Sequence, residues 1–142
     1  MTARRRQITL TKETGMPIAI DPNKSWEYVL LVDRELPPEQ QTVFELKALS
    51  ARELATIEDG SVRSDREGKL EYLSGTQTIR ILELGVRGWR NFKDPAGTDV
   101  PFRENNGKPR HENWDLLRPE WRRELANAIT EQNRLSEEER KN

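Results

Sequence analysis

The sequence predicts an α+β fold, with a small N-terminal antiparallel β section followed by a helical C-terminal half with long loops. Two observations predict it: apolar and polar residues alternate over residues 8–49, and from residue 50 apolar residues recur every three or four positions. The length of 142 residues is that of a single domain. Along it we expect a flexible arm at 1–7, the β section at 8–49, a mainly helical section at 50–133, and a charged tail or helix start at 134–142.

Three alternating segments make up the expected β section. They predict a short hairpin around residues 12–15, a strand over 26–32 and a second strand over 43–49. Two consecutive prolines restrict residues 33–41 to a turn or loop. The apolar residues that set the alternations are Ile8, Leu10, Ile18, Ile20, Trp26, Tyr28, Leu30, Val32, Phe44, Leu46 and Ala48.

A capping box starts the first predicted helix. The Ser50 hydroxyl and the Glu53 carboxylate are spaced to bond amide groups that the first helical turn leaves unpaired. Leu49 and Leu54 stand where an apolar contact accompanies such a box, and Gly60 is a natural stop. The sequence therefore predicts a short helix that ends near this glycine.

The middle of the chain predicts a loop and a second helix. Residues 61–75 are polar and interrupted by glycines, which is typical of a mobile loop. Residues 76–92 predict a helix, although residues 79–81 also fit a strand and Gly85 and Gly88 weaken the helical pattern. The apolar face of this helix would be Ile79, Leu82, Val86 and Trp89.

Two turns interrupt the connection to the last helix. Pro95 and Gly97 occupy positions that a type I turn favours after Asp94, and Asn106-Gly107 predicts another turn. The connection is about twenty residues long, beyond the usual ceiling of ~12–15, so we expect it to be either functional or disordered.

The last predicted helix starts at Pro119, because proline is favoured at the first helical position. Ser136 and Glu139 form a second capping box, which predicts either the start of another short helix or a solvated charged tail. The apolar stripe of the last helix is Trp121, Leu125, Ala128 and Ile129. Its expected solvent-facing residues are Arg122, Arg123, Glu124 and Glu131.

Composition argues against several classes of function. The chain has no cysteine for disulfides, thiolate chemistry or zinc, and its single histidine, His111, lies in no ligand or catalytic spacing. The net charge of −1 gives no global attraction for nucleic acid, and no apolar run approaches the ~18 residues of a membrane span. We therefore expect a soluble intracellular protein that is not an enzyme, uses no cofactor or metal, and does not bind membranes. The less favoured nucleic-acid alternative would use Arg80, Arg87, Arg90 and Lys93.

Large aromatic residues concentrate between residues 89 and 121, although aromatics make up only 6% of the chain. They either form the core or anchor a partner protein, because aromatic side chains dominate the energetics of protein interfaces. For the second alternative, the predicted partner-binding residues are Trp89, Phe92, Phe102, Trp121, Leu125 and Ile129.

Two motifs resemble a known family. The segment GVRGWRNFKD at residues 85–94, followed by Gly97 and VPF at 100–102, resembles the central segment of tail assembly chaperones of long-tailed bacteriophages. The segments ELANAI at 124–129 and NRLSEEE at 133–139 are similar to the C-terminal end of that family. The resemblance covers residues 76–142, about half the chain.

The resemblance implies a non-enzymatic helper in the host bacterial cytoplasm that binds the tape measure protein and recruits tail tube protein. It also implies a second form, extended by frameshifting, which would suit the helix start at Ser136. Because that family is mainly helical, the β section leaves an alternative: a structural adaptor or capsid- or tail-associated component that remains in the virion. The sequence leaves open whether the chain forms homo-oligomers.

Overall fold

The computed structural model describes residues 17–19, 21, 23–64, 70–72 and 75–141, and it confirms the α+β class. The hairpin predicted around residues 12–15 lies outside the described residues. The elements in chain order are β1 (Ser25–Tyr28), β2 (Val43–Lys47), α1 (Ala51–Ser61), β3 (Val62–Ser64), β4 (Leu70–Tyr72), α2 (Thr76–Gly85), β5 (Val86–Arg90), β6 (Glu104–Asn105), β7 (Lys108–Pro109), α3 (Glu112–Asp115) and α4 (Pro119–Lys141).

The N-terminal sheet has three antiparallel strands in the order β1-β2-β5. Phe44 lies opposite Tyr28 and Trp89 in the two ladders, and Phe44 and Leu46 are fully buried. The face that carries them packs on the helices, and α2 in turn packs against α1 and α4. The buried core joining sheet and helices is Leu30, Phe44, Leu46, Leu49, Ile57, Leu82, Val86, Trp114, Leu117, Leu125, Ala126 and Ile129.

The first strand is shorter than the strand predicted over residues 26–32. It ends at Tyr28, and a 3-10 turn follows over Leu31–Asp33. The turn forms because the Asp33 amide donates to the Leu30 carbonyl at 2.9 Å, which ends the extended backbone. The strand predicted over residues 43–49 is confirmed, with β2 spanning Val43–Lys47.

The capping box of α1 is confirmed in both directions. The Glu53 amide donates to the Ser50 hydroxyl oxygen at 3.1 Å, and the Ser50 amide donates to the Glu53 carboxylate at 2.9 Å. The ammonium of Lys47 lies 3.3 Å from the same carboxylate. Although burial acts in the opposite direction, the amide of Ser50 and the charge of Lys47 hold the pKa of Glu53 below its ordinary value.

The single loop predicted over residues 61–75 is wrong, because β3 and β4 pair antiparallel within it. The helix predicted over residues 76–92 is correct only as far as Gly85, after which the chain becomes strand β5. The switch has two causes. Gly85 lies directly against Ile129 of α4, and the residues that follow find a ladder partner in β2.

Both predicted turns are confirmed, and the connection between β5 and α4 is built around them. Asp94 accepts the Gly97 amide at 2.9 Å, and Asn106-Gly107 forms the two-residue turn between β6 and β7 with φ of 56° and 79°. The fully buried Asn113 fastens the base of this hairpin. Its side chain accepts the Arg103 amide at 3.0 Å and donates to the Arg103 carbonyl at 2.8 Å.

The last helix starts at Pro119 as predicted and continues to Lys141. No second helix begins at Ser136, because residues 136–139 are part of α4. Arg122, expected to face solvent, is half-buried instead. Its guanidinium donates to the Leu117 carbonyl at 2.6 Å and to the Trp114 carbonyl at 3.0 Å, which satisfies the C-terminal end of α3.

Candidate protein-interaction surface

Three of the six predicted partner-binding residues, Trp89, Phe92 and Phe102, belong to one aromatic cluster. We define the aromatic cluster as these three residues together with Phe44 and Trp114. The Trp89 ring centroid lies 4.9 Å from that of Phe102 and 5.0 Å from that of Phe92, both edge to face. Trp89 also donates its indole N–H to the carbonyl of Val100 at 2.8 Å. Because Trp89, Phe92 and Phe102 are half-buried and pack on the core, their main role is to fix the connection against the sheet.

The other three predicted residues lie on α4, and two of them cannot contact a partner while the chain is folded. Leu125 and Ile129 are 0% exposed and belong to the core, so their assignment to a contact surface is wrong. Trp121 is half-buried, with the Arg118 guanidinium 5.5 Å from its ring centroid. The apolar stripe was predicted correctly, but it faces inward.

A different set of apolar side chains is exposed, immediately after β1. Leu31 is 63% exposed, Val32 67% and Leu36 40%. We call these three residues the loop surface. Their position in one six-residue segment distinguishes them from isolated surface leucines, because neighbouring exposed apolar residues mark sites of protein contact.

The start of the loop surface is fastened to α4 by one carboxylate. Glu124, expected from the sequence to face solvent, is half-buried and accepts the Leu31 amide at 2.8 Å and the Tyr28 hydroxyl at 2.7 Å. Burial, and then the neighbouring Glu124 carboxylate, raise the pKa of Tyr28 to about 12. The loop is therefore tied to a helix that is 93 residues away in sequence.

Bonds from the loop's own polar side chains hold its interior. The Arg34 guanidinium lies 5.1 Å from the Tyr28 ring centroid, and its Nε donates to the Val29 carbonyl at 2.9 Å. Asp33 accepts the Thr42 amide at 3.1 Å, and the side chain of Gln41 donates to the Leu36 carbonyl at 3.0 Å. The polar side chains of the loop thus bond inward while its apolar side chains face solvent.

The far end of the loop is held by Asn91, at the end of β5. Its side-chain amide donates to the carbonyls of Glu39 at 3.0 Å and Gln41 at 2.9 Å. Asn91 has a φ of 61°, a left-handed conformation that asparagine tolerates better than most residues. Since both ends and the middle are bonded, the loop surface is ordered before any partner arrives, which lowers the entropic cost of binding.

Sequence reasoning missed the loop surface because it placed Leu31 and Val32 in an extended strand. One feature of the sequence could have revealed it. Leu30, Leu31 and Val32 are consecutive apolar residues before a polar, proline-containing loop, and one strand face can bury only every second residue. Leu30 is buried, and the following two residues are exposed.

The basic residues considered for nucleic acid do not form one free patch. Arg90 pairs with Glu27 at 2.9 Å and Lys93 with Asp99 at 2.7 Å, while the neighbouring rings belong to the aromatic cluster. The imidazole Nδ1 of His111 lies 3.2 Å from the carboxylate of Glu83. Within the part of the chain that the structure describes, no three His, Asp or Glu side chains converge on a point that could hold a metal ion.

Comparisons with known proteins add no relative: the chain matches no family model, no curated protein and no solved structure. Among the described residues, no helix combines the length and the apolar character needed to cross a bilayer.

Proposed function

We propose that this chain is a non-enzymatic tail assembly chaperone that binds the tape measure protein of a long-tailed bacteriophage and helps recruit tail tube subunits. The observation that supports a protein-binding role is the loop surface, in which Leu31, Val32 and Leu36 are exposed on a segment held by hydrogen bonds. The identity of the partner rests on the resemblance of residues 76–142 to the chaperone family.

The physical argument is that binding would bury apolar area already presented in a fixed conformation. A tape measure protein is long and hydrophobic, and its exposed apolar segments would aggregate in water unless they were covered. Burying an aliphatic side chain contributes roughly 1.5–3 kcal/mol, and little conformational entropy is lost when the loop is ordered beforehand. The aromatic cluster supports the surface indirectly, because β5 and Asn91 hold the loop's far end.

A double substitution in the loop surface tests this proposal. The chain and the tape measure protein from the same genome would be co-expressed, and the soluble, co-purifying tape measure protein would be quantified. We expect Leu31→Ser with Val32→Ser to weaken binding by roughly tenfold or more, because two exposed aliphatic contacts are removed. Folding stability should hardly change, since neither side chain is buried in the free chain.

Leu116→Ser is the matched control, because Leu116 is also an exposed leucine, at 46%, but lies outside the loop surface. It should leave tape measure binding unchanged. Equal binding by the loop double variant and the wild type, with both proteins folded in thermal melts, would exclude the loop surface as the contact.

The second candidate is a structural component of the virion, and the three-stranded sheet favours it, because the chaperone family is mainly helical. Quantitative mass spectrometry of purified particles beside the crude lysate separates the two. Protein abundant in lysate and missing from particles would support the chaperone. A fixed copy number in particles would overturn it in favour of the virion component.

A further inference from the structure

A polar cavity lies on the outer face of the sheet, away from the core. Its volume is about 370 Å³, and its lining residues come from all three strands or their ends: Asn23, Ser25, Glu45, Lys47 and Arg87. Alternation along β2 turns Glu45 and Lys47 outward because Phe44 and Leu46 are buried, and Ser25 lies opposite Lys47 in the β1–β2 ladder.

Arg87 reaches this cavity because of an irregularity in the sheet. Glu45 pairs with Gly88 and Leu46 with Val86, so Arg87 is an extra residue of β5 with no partner in the ladder. Such bulges redirect a side chain and recur beside binding sites. The cavity and the loop surface lie at opposite ends of β1, so the two regions are separate.

Some of the polar groups that line the cavity already have hydrogen-bond or ion-pair partners, and others do not. The Lys47 side chain is 14% exposed, and its ammonium is bonded to Glu53 and to the Ala48 carbonyl. The Ser25 hydroxyl donates to Glu45 at 3.1 Å. Among the described residues, the guanidinium of Arg87 has no ion pair or hydrogen-bond partner. The unused donors at the cavity are therefore the planar fork of Arg87 and the side-chain amide of Asn23, and Glu45 is the one carboxylate among the lining residues.

We propose that this cavity binds a carboxylate side chain of an acidic polypeptide segment, with Arg87 as its charged partner. A guanidinium fork matches a carboxylate in shape and can donate two parallel hydrogen bonds. The two donors of this fork satisfy a carboxylate, whereas a phosphate has a third oxygen for which the Ser25 hydroxyl and the Lys47 ammonium are already bonded elsewhere. The inference rests on the proposed function only in that the partner is a polypeptide, for which the cavity would be a second contact.

Amide chemical shifts of the full chain, measured by NMR during titration, test this inference. The probe is the blocked peptide acetyl-Ala-Glu-Glu-Ala-amide, and its glutamine counterpart and inorganic phosphate are parallel arms. We expect saturating shifts at Ser25 and Gly88 with the acidic peptide at millimolar concentrations. Arg87→Gln should weaken binding about fivefold or more, because the charged donors are lost. Glu45→Gln should strengthen it severalfold, since a like charge is removed while an oxygen that can accept from Ser25 remains.

Arg90→Gln is the matched control, because Arg90 is an exposed arginine of the same strand that already pairs with Glu27. It should leave the affinity for the acidic peptide unchanged. The inference is overturned if Arg87→Gln binds like the wild type, if Arg90→Gln loses as much affinity, or if the glutamine peptide or phosphate saturates the same shifts at equal or lower concentration. If the peptide titration fails while tape measure binding is intact, only the cavity is rejected. The proposed function is tested separately, by the loss of tape measure binding in the loop double variant.

Discussion

At the scale of single residues, the close approach of two helices explains why the helical pattern ends at Gly85. Gly85 ends α2 against α4, and a Cβ placed on it would lie 2.5 Å from Cδ1 and 2.9 Å from Cγ2 of Ile129. Ile129 is fully buried and cannot move aside freely. The glycine is therefore required by packing between two helices, since its φ lies outside the left-handed region.

We predict that Gly85→Ala destabilises the fold by about 1–2 kcal/mol, because overpacking the core exceeds the small gain in helix propensity. Chemical denaturation would measure the change. Ile129→Val removes the nearest methyl group and should recover part of the loss in the double variant. Gly88→Ala is the control, since nothing lies within 4 Å of its added Cβ, and its stability should change by less than about 0.5 kcal/mol. A wild-type denaturation midpoint for Gly85→Ala would contradict the close approach.

At the scale of elements, the main coupling joins the loop after β1 to α4. The Glu124 carboxylate accepts hydrogen bonds from two donors at once, the Leu31 amide and the Tyr28 hydroxyl. One helix residue thereby sets both the end of a strand and the position of the exposed apolar segment. The order of the loop surface depends on α4, although Leu125 and Ile129 of that helix never reach the surface themselves.

We expect Glu124→Ala to release the loop and to cost about 1–2 kcal/mol of global stability, because two hydrogen bonds to a charged group are lost. Hydrogen exchange at the Leu31 amide, followed by NMR, should accelerate by roughly tenfold or more. Glu124→Gln keeps one acceptor oxygen and should lie between this variant and the wild type. Glu120→Ala provides the control, since that exposed carboxylate lies 3.9 Å from Arg118 and bonds no loop residue. Unchanged exchange at Leu31 in Glu124→Ala would refute the coupling.

At the scale of the whole molecule, local patterns were predictable and long-range ones were not. The capping box at Ser50, the alternation of β2 and the Asn106-Gly107 turn depend on neighbours in sequence, and all three are confirmed. The strand over Val86–Arg90 depends on pairing with β2, so its helical spacing was misleading. The bonds that hold the loop surface in place could not be predicted, because one of them comes from the Glu124 carboxylate of the last helix.

The folding stability of the whole chain should fall at alkaline pH because Tyr28 ionises. The folded state raises the pKa of Tyr28 from 10.0 to about 12, so it favours the neutral phenol. The resulting stabilisation is fully present below pH 10 and is lost as the pH rises from 10 through 12. Urea midpoints at pH 9 and pH 11 should therefore fall further for the wild type than for Tyr28→Phe. Equal falls in the two proteins would show that Tyr28 titrates normally.

The buried side chain of Asn113 has a practical consequence. This one amide satisfies both backbone groups of Arg103. The chain between Arg103 and Asn113 therefore forms a hairpin whose two ends are held together at its base. The hairpin tip at residues 106–107 is exposed and is separate from both the loop surface and the outer cavity. It is therefore a permissive site for inserting an epitope or a fluorophore, which would label the chain without disturbing either region.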